Sequence, residues 1–416
     1  MPTRSLRALA ACAALVVALA SCSDSVKDDG PATGGDDGGG PEQRTTRGVT
    51  DDAIRVGGVV YDLYFGDARV GVEARLKEVN DAGGVHGRQI EVVAIENDDN
   101  DANTGREITQ RLVEQEEVFA LLPVMSGLFG GGDYIVDNGI PTFGWGVNPA
   151  FCENEVAFGI TGCVTNPSLE IGSNALGTVL EAHFGDTDRT VAFIGEDNDS
   201  GRGGLTLLSA SVEDKGFEVV TADASLPAPP DPLGDPSPFV SQLLSSADGE
   251  APDVIYLQAT LSGTTIAAAL QASGYEGMII TPSYSPLLLG QPGYDGVYVN
   301  TQIDMDPTVP ANAAMLEAVA AVNPDQALNL AVAAGYWATD MFVKALEETG
   351  EDLTVESFLA TLNGGDFTYG VEGVVGDSSW PDNRDRSVPC AALYRVDGDE
   401  FVTEINLVCG ENIEVG

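Results

Sequence analysis

The sequence predicts an α/β fold made of parallel sheets covered by helices on both faces. Three observations lead there. From Ala53 onward, apolar strand patterns alternate with helical ones. The alternation starts afresh near Asn166. The chain, at 416 residues, is too long for one ordinary core and suits two domains. Repeated strand–helix units need crossovers that lay each strand parallel to the last, with helices on the sheet faces.

In the first set, the spacing predicts a strand over Ile54–Tyr61 and a helix over Val70–Asp81, with Val72, Leu76 and Val79 on one side. Gly83-Gly84 ends that helix. A second strand follows over Gln89–Ile95 and a second helix over Thr104–Glu117. Val118–Val124 is a short apolar run suited to a buried parallel strand. Gly132–Asn138 reads as helix and Ile140–Gly144 as strand. In the second set, helices are expected over Ser168–Phe184, Leu205–Lys215, Phe239–Ser246 and Thr264–Ser273. Strands are expected over Thr190–Gly195, Phe217–Thr221, Val254–Gln258 and Met278–Thr281, with a proline-rich surface loop over Pro227–Pro238. Then come a strand (Val297–Ile303), a helix (Ala311–Val322), a long helix (Ala327–Glu348) and a tail of β character that includes Ala391–Arg395 and Phe401–Leu407.

Composition narrows the class of job. The chain is 43% hydrophobic, which is a globular content. It carries 65 acidic against 19 basic residues, a formal charge of −46. Such a surface repels phosphate backbones, so no nucleic-acid partner is expected. At the N-terminus, Arg4 and Arg7 precede an apolar run, Ala8–Ala20. A charged start, a short apolar core and small residues make a secretory signal. Its core spans roughly 20 Å as helix, short of the ~30 Å of a hydrocarbon layer. Cys22 directly after Leu19-Ala20-Ser21 is similar to the lipobox of bacterial lipoproteins, which implies cleavage after residue 21 and lipid on Cys22. The alternative is a plain secretory signal with an unrelated cysteine. Residues 22–50 are rich in Asp, Gly, Ser and Thr and read as a flexible linker. The expectation is an extracytoplasmic protein held on the outer face of the cell membrane by lipid at Cys22.

Cys152, Cys163, Cys390 and Cys409 then remain, and outside the cytoplasm they read as two disulfides. Three pairings are possible, and the local pairs Cys152–Cys163 and Cys390–Cys409 are favoured. Their spacings match no zinc signature, so no metal is expected, and no cofactor either. Searches for a Gly-x-Ser-x-Gly elbow, His-Glu-x-x-His or Cys-x-x-Cys find none. The two histidines, His86 and His183, read as a surface turn residue and an exposed or packed helix residue. The run Asp197-Asn198-Asp199-Ser200-Gly201 lacks the twelfth-position glutamate of a calcium loop and reads as a strand-end loop. No catalytic residues are assigned.

Ala74–Gly87 runs Ala-Arg-Leu-Lys-Glu-Val-Asn-Asp-Ala-Gly-Gly-Val-His-Gly, followed by a strand and the acidic cluster Glu96-Asn97-Asp98-Asp99. Far downstream stands Gly335-Tyr336-Trp337-Ala338-Thr339-Asp340. Together these resemble the leucine/isoleucine/valine-type solute-binding proteins of ABC importers, over about Ala53–Arg395. The resemblance implies two doubly wound lobes joined by hinge strands and closing around a small molecule. It places 51–165 with 290–355 in the first lobe and 166–289 with 356–416 in the second. It also implies an ABC permease as partner; a monomer is expected. A ligand-sensing receptor on the same fold is the second reading. A hydrolase is the third, but the sequence supplies no nucleophile with a base.

In open parallel sheets, ligands sit at the C-terminal strand ends, where loops converge. Those loops carry Tyr64, Phe65, Ser126, Trp145, Ser200, Gln258, Thr260 and Tyr284. Aromatic bodies beside hydrogen-bonding groups suit a small polar or amphipathic ligand. The resemblance makes Ser126, with Gly127, a contact for a ligand carboxylate, and gives backbone groups of Gly144-Trp145-Gly146 the same role. Ser200 stands where the family has a tyrosine. Ser283 stands where it has an acid that meets the ligand ammonium. That loss would leave a buried cation without its partner, so a simple branched-chain amino acid is not the expected ligand.

Overall fold

The computed structural model describes residues 46–415 apart from 167, 229, 230 and 260; of 199, 200 and 261 it describes the backbone only. The expected signal, Cys22 and most of the linker lie outside the described residues. The linker's last residues do not hang free. Arg47 donates from Nε to Val118 O at 2.6 Å, and Thr46 Oγ1 accepts from Val355 N at 3.1 Å.

The first sheet grows from β1 (Ala53–Val60), α1 (Asp62–Phe65), α2 (Ala68–Asp81), β2 (Gln89–Asn97), α3 (Ala102–Glu114), β3 (Ala120–Met125), α4 (Gly132–Asn138), β4 (Thr142–Gly144) and β5 (Ala157–Gly159). Its order is β2-β1-β3-β4-β5, parallel throughout. The period of two along β1 divides its side chains. Val56 and Val60 enter the core under α2, while Val59 enters the core under α3. α3 starts two residues before Thr104 because Asp101 caps it, accepting from Thr104 N at 2.8 Å. β2 is an edge strand, so Ile90 is buried while Val92 is 40% exposed.

The second sheet follows through β6 (Ile171–Ser173), α5 (Ala175–Phe184), β7 (Thr190–Glu196), α6 (Asp199–Lys215), β8 (Glu218–Leu226), α7 (Ser237–Leu243), β9 (Val254–Gln258), α8 (Leu261–Ala272), β10 (Met278–Thr281) and β11 (Tyr298–Thr301). The chain then forms α9 (Pro310–Val322), α10 (Leu330–Thr349), α11 (Val355–Asn363), the hairpin β12 (Thr368–Val371) and β13 (Val375–Ser379), and finally β14 (Cys390–Asp397), β15 (Glu400–Cys409) and β16 (Asn412–Glu414). The sheet order is β15-β14-β11-β10-β9-β7-β8; β14 and β15 run antiparallel and the rest parallel.

Three differences from the sequence expectation have physical causes. The helix expected from Ser168 begins only at Ala175, because Ile171–Ser173 pairs with the C-terminal strand β16. The strand near 298 hydrogen-bonds into the second sheet, so the exchange expected at 290 falls after Thr301. α11, absent from the sequence expectation although Val355, Phe358, Leu359 and Leu362 form an apolar stripe, packs on the first half through Phe358 against Phe119 and Phe143. The return to the second sheet therefore falls after Asn363, not at 355. α11 starts at a capping box, Thr354 with Ser357.

α2 and α10 cross at two glycines. A Cβ on Gly71 would lie 2.1 Å from Val332 O, and one on Gly335 would lie 2.3 Å from Ala68 O. Beside the crossing, Arg75 Nε donates to Asp340 at 2.8 Å, Tyr336 OH donates to Glu78 at 2.7 Å, and Tyr369 OH reaches Asp340 at 3.1 Å. The Gly-Tyr-Trp-Ala-Thr-Asp stretch is thus a helix-packing motif. Gly84 does the same for the turn after α2: its φ is +76°, and a Cβ there would meet Arg88 O at 2.0 Å.

The chain passes between the two sheets three times, over 160–170, 302–309 and 364–389. Disulfides Cys152–Cys163 and Cys390–Cys409, the local pairs, brace the first and third passages. The middle passage holds the buried Asp304. It accepts from Asp306 N at 2.7 Å and Leu407 N at 3.1 Å, and Met305 N donates to Tyr394 OH at 2.6 Å.

Candidate functional site

The strand ends of the first half gather most of the expected residues. After β1 the chain folds at once into α1, because Asp62 N donates to Asn97 Oδ1 at 3.0 Å and Phe65 N to Tyr61 O at 2.8 Å. That turn presents Tyr61, Tyr64 and Phe65, all half-buried. Tyr64 meets Tyr61 edge-on at 5.2 Å and Phe65 at 6.3 Å; Phe65 meets Trp145, after β4, at 5.9 Å and 80°. Tyr64, Phe65 and Trp145 are therefore brought together, and Tyr61 is a member that the sequence reading missed. Its place one residue before α1 was the available signal.

Ser126 and Gly127 follow β3. Asn148 Nδ2 ties them to the Trp145 loop, donating to Ser126 O at 3.3 Å and Gly127 O at 2.9 Å. Thr161 Oγ1 donates to Trp145 O at 2.5 Å, and Gly146, at φ +96°, lies against Gly162 O, where a Cβ would come within 2.0 Å. Gly127 is exposed, but Ser126 is 1% exposed. The Ser126 hydroxyl sits close enough to Asp98 to hold its carboxyl down, yet makes no full hydrogen bond; Asp98 Oδ2 likewise has no partner. Burial is the larger effect and raises Asp98 above the usual carboxylate range. Trp145 Nε1 is also buried without a partner.

The second half contributes Glu196 at the end of β7 and Gln258 at the end of β9, the latter alongside Gly204 of α6. Burial, then Tyr61, then Glu196 push the Tyr64 hydroxyl up to about 12. Asp62 is paired with Arg69 at 2.5 Å, and Asp197 with Arg202. Asn198 caps α6 through Gly201 N at 2.7 Å, so the calcium-like run is a helix start. The side chain of Ser200, and Thr260, lie outside the described residues. Ser283 is half-buried, and its carbonyl accepts from Tyr294 OH at 3.2 Å. Tyr284 departs from the group: it is 7% exposed, stacks on Phe401 at 4.0 Å and meets Tyr394 edge-on at 5.2 Å.

The two histidines stand elsewhere. His86 faces Glu347 O, and His183 packs between Phe184 and Tyr298. A recess of about 930 Å³, lined among others by His183, Arg189, Tyr275 and Tyr298, opens at the N-terminal ends of β9, β10 and β11, away from these loops. Among the described residues, no group of three or more His, Cys, Asp or Glu could hold a metal ion, and no helix is long and apolar enough to cross a membrane. The loops offer rings and hydrogen-bonding groups. They are equipped to hold a molecule.

Two such sheets, with rings and hydrogen-bonding groups on their strand-end loops, have the make-up of a binding protein. The chain belongs to the periplasmic binding protein family, whose profile matches residues 58–400. That makes it an extracytoplasmic binding protein, from a family that is not one of enzymes. Similar solved structures include a putative branched-chain amino acid ABC transporter protein from Rhodospirillum rubrum, at 22% identity and TM-score 0.60, covering 84% of this chain and 99% of that one. A fatty acid ABC transporter substrate-binding protein from Thermomonospora curvata is similar at 19% identity and TM-score 0.69, covering 89% and 95%. A solute-binding protein from Rhodopseudomonas palustris BisB5 in complex with 3,4-dihydroxy benzoic acid is similar at 16% identity and TM-score 0.64, covering 88% and 98%. Comparison with curated proteins finds no match.

Proposed function

We propose that the protein is a monomeric lipoprotein, freed of residues 1–21, lipidated at Cys22 and tethered by the segment that follows. It captures a small polar or amphipathic solute between two lobes and presents it to an ABC permease. The first lobe comprises 46–159 and 310–363; the second comprises 171–301 and 390–414. The three passages between them act as hinges. Tyr64, Phe65, Ser126, Gly127, Trp145 and Gly146 contact the solute from the first lobe, and Ser200, Gln258 and Ser283 from the second. Tyr284 holds the second-lobe loop from beneath. The observation that carries this reading is the pair of separate sheets, one gathering Tyr64, Phe65 and Trp145 on its strand-end loops and the other ending β7 and β9 at Glu196 and Gln258. A solute touching both lobes favours the closed form, and a permease reads that form.

The range of named relatives, from a fatty acid carrier to a dihydroxybenzoic acid complex, supports a broad search for the solute. Thermal shift across amino acids, aromatic acids and fatty acids is the test. A solute at a hundred times its dissociation constant adds about 2.7 kcal/mol of stability. The same solute should shrink the radius of gyration in X-ray scattering. Binding without any compaction overturns the two-lobe capture. Mass spectrometry of the membrane-bound protein checks the diacylglycerol on Cys22.

A further inference from the structure

Tyr284 stands on a strand-end loop, yet its ring is turned inward and its backbone is engaged elsewhere. Its carbonyl accepts from Leu330 N at 3.4 Å, long but within hydrogen-bonding reach. Tyr284 follows β10 of the second sheet, whereas Leu330 opens α10, which crosses the first-sheet helix α2 at Gly71 and Gly335. Just before α10, Asn329 and Gln326 donate to Asp67 at 2.6 and 3.1 Å, so the start of α10 belongs with the first half. The bond from Leu330 to Tyr284 therefore joins the two halves directly, outside the three passages.

The first N–H groups of a helix find no acceptor within it. At α10, Asn329 serves two of its early N–H groups: its Oδ1 accepts from Val332 N at 3.0 Å and its carbonyl from Ala333 N at 3.2 Å. Leu330 N lies on a residue only 8% exposed, at the positive end of a 20-residue helix, so an acceptor there is worth most. The acceptor is firmly held. The Tyr284 ring stacks on Phe401 at 4.0 Å and meets Tyr394 edge-on at 5.2 Å, and Tyr394 OH accepts from Met305 N of the middle passage at 2.6 Å. Helix start, carbonyl, aromatic stack and passage form one connected series.

We propose that the Leu330 N–H and the Tyr284 carbonyl form a latch between the halves, which favours the arrangement described here and is released when the halves move apart. The inference rests on the two-lobe reading above. No atom of a solute takes part in the latch. Apparent affinity scales with the population of the binding-competent arrangement, so such a contact tunes how tightly any solute is held without choosing among solutes.

Position 330 allows the donor to be removed alone. It is the first residue of α10, where proline is accepted, and Asn329, at φ −145° and ψ 169°, already has the extended backbone that precedes a proline. Leu330→Pro deletes the N–H, and Leu330→Ala trims the same side chain while keeping it. Spin labels on Glu73→Cys of α2 and Ser241→Cys of α7, both exposed, report the separation of the halves by pulsed electron resonance, without added solute. The expected result is a shift to longer distances in Leu330→Pro, with the separated population about two- to tenfold higher than in Leu330→Ala, the ratio for one hydrogen bond. Equal distributions in the two variants, whether or not both differ from wild type, overturn the latch. If Leu330→Pro does not fold, hydrogen exchange of the wild-type protein decides. The Leu330 amide should exchange at least about tenfold more slowly than an unprotected amide, and exchange at the unprotected rate overturns the latch. Both measurements are made without solute. Their failure leaves solute capture standing, and failure of the thermal-shift screen leaves the latch standing.

Discussion

At the scale of single residues, the crossing of α2 and α10 is the most exposed to change. Gly71 and Gly335 leave no room for a methyl group against Val332 O and Ala68 O. Gly335→Ala should destabilise by about 1–3 kcal/mol, the usual cost of overpacking, despite alanine's better helix propensity. Urea unfolding measures it, and a variant as stable as wild type would show that the helices separate freely. Asp340 is the other sensitive point, because it accepts from both Arg75 and Tyr369. Asp340→Ala takes one partner from half-buried Arg75, which keeps Glu78, and one from buried Tyr369, which keeps Trp337 O, for an expected loss of about 1–3 kcal/mol. Tyr336→Phe, which removes only the bond to Glu78, should cost about 1 kcal/mol.

At the scale of elements, the passages between the sheets decide how the halves are held. Removing Cys152–Cys163 by a double serine substitution should cost roughly 3 kcal/mol, as expected for a loop of this size in the chain-entropy account. Chemical denaturation of the oxidised protein and the variant checks it. In the middle passage, burial pushes the Asp304 carboxyl above its ordinary 3.8. The folded state then holds that proton more tightly than the unfolded chain. Ionising Asp304 costs stability as pH rises from 3.8 through the folded value, and the cost is absent below 3.8. Asp304→Asn should therefore gain on wild type as pH rises, with a more favourable melting-temperature difference at pH 7 than at pH 4. An equal difference at both would show that Asp304 does not titrate with folding.

At the scale of the whole molecule, charge dominates. With a formal charge of −46, acids repel one another across the surface, and its ion pairs sit mostly in solvent, where each contributes about 0–1 kcal/mol. Raising ionic strength from 0.01 to 0.15 M shortens the screening length from about 30 to about 8 Å. The melting temperature should rise by several degrees over that interval. A flat or falling response would mean that local pairs outweigh the net repulsion.

Much of this architecture was legible along the chain. Sequence patterns located β9, β10 and α4 to the residue, and α2 nearly so, because burial of one face imposes its period locally. Cysteine spacing pointed to both disulfides, since a bridge between near neighbours closes a small loop. β6 escaped notice because a three-residue strand depends on its partner β16, whereas α11 was overlooked although its capping box and its stripe of Val355, Phe358, Leu359 and Leu362 stand in the sequence. The candidate site divided the same way. Strand-end position marked Tyr64, Phe65, Ser126 and Trp145. The sequence by itself determined the α/β class and the strand-end loops. Only the tertiary structure decided that Phe65 meets Trp145 and that Tyr284 turns away to stack on Phe401. Periodicity records which face of an element is buried, whereas the partner across that face may lie eighty or a hundred residues away and is chosen by packing.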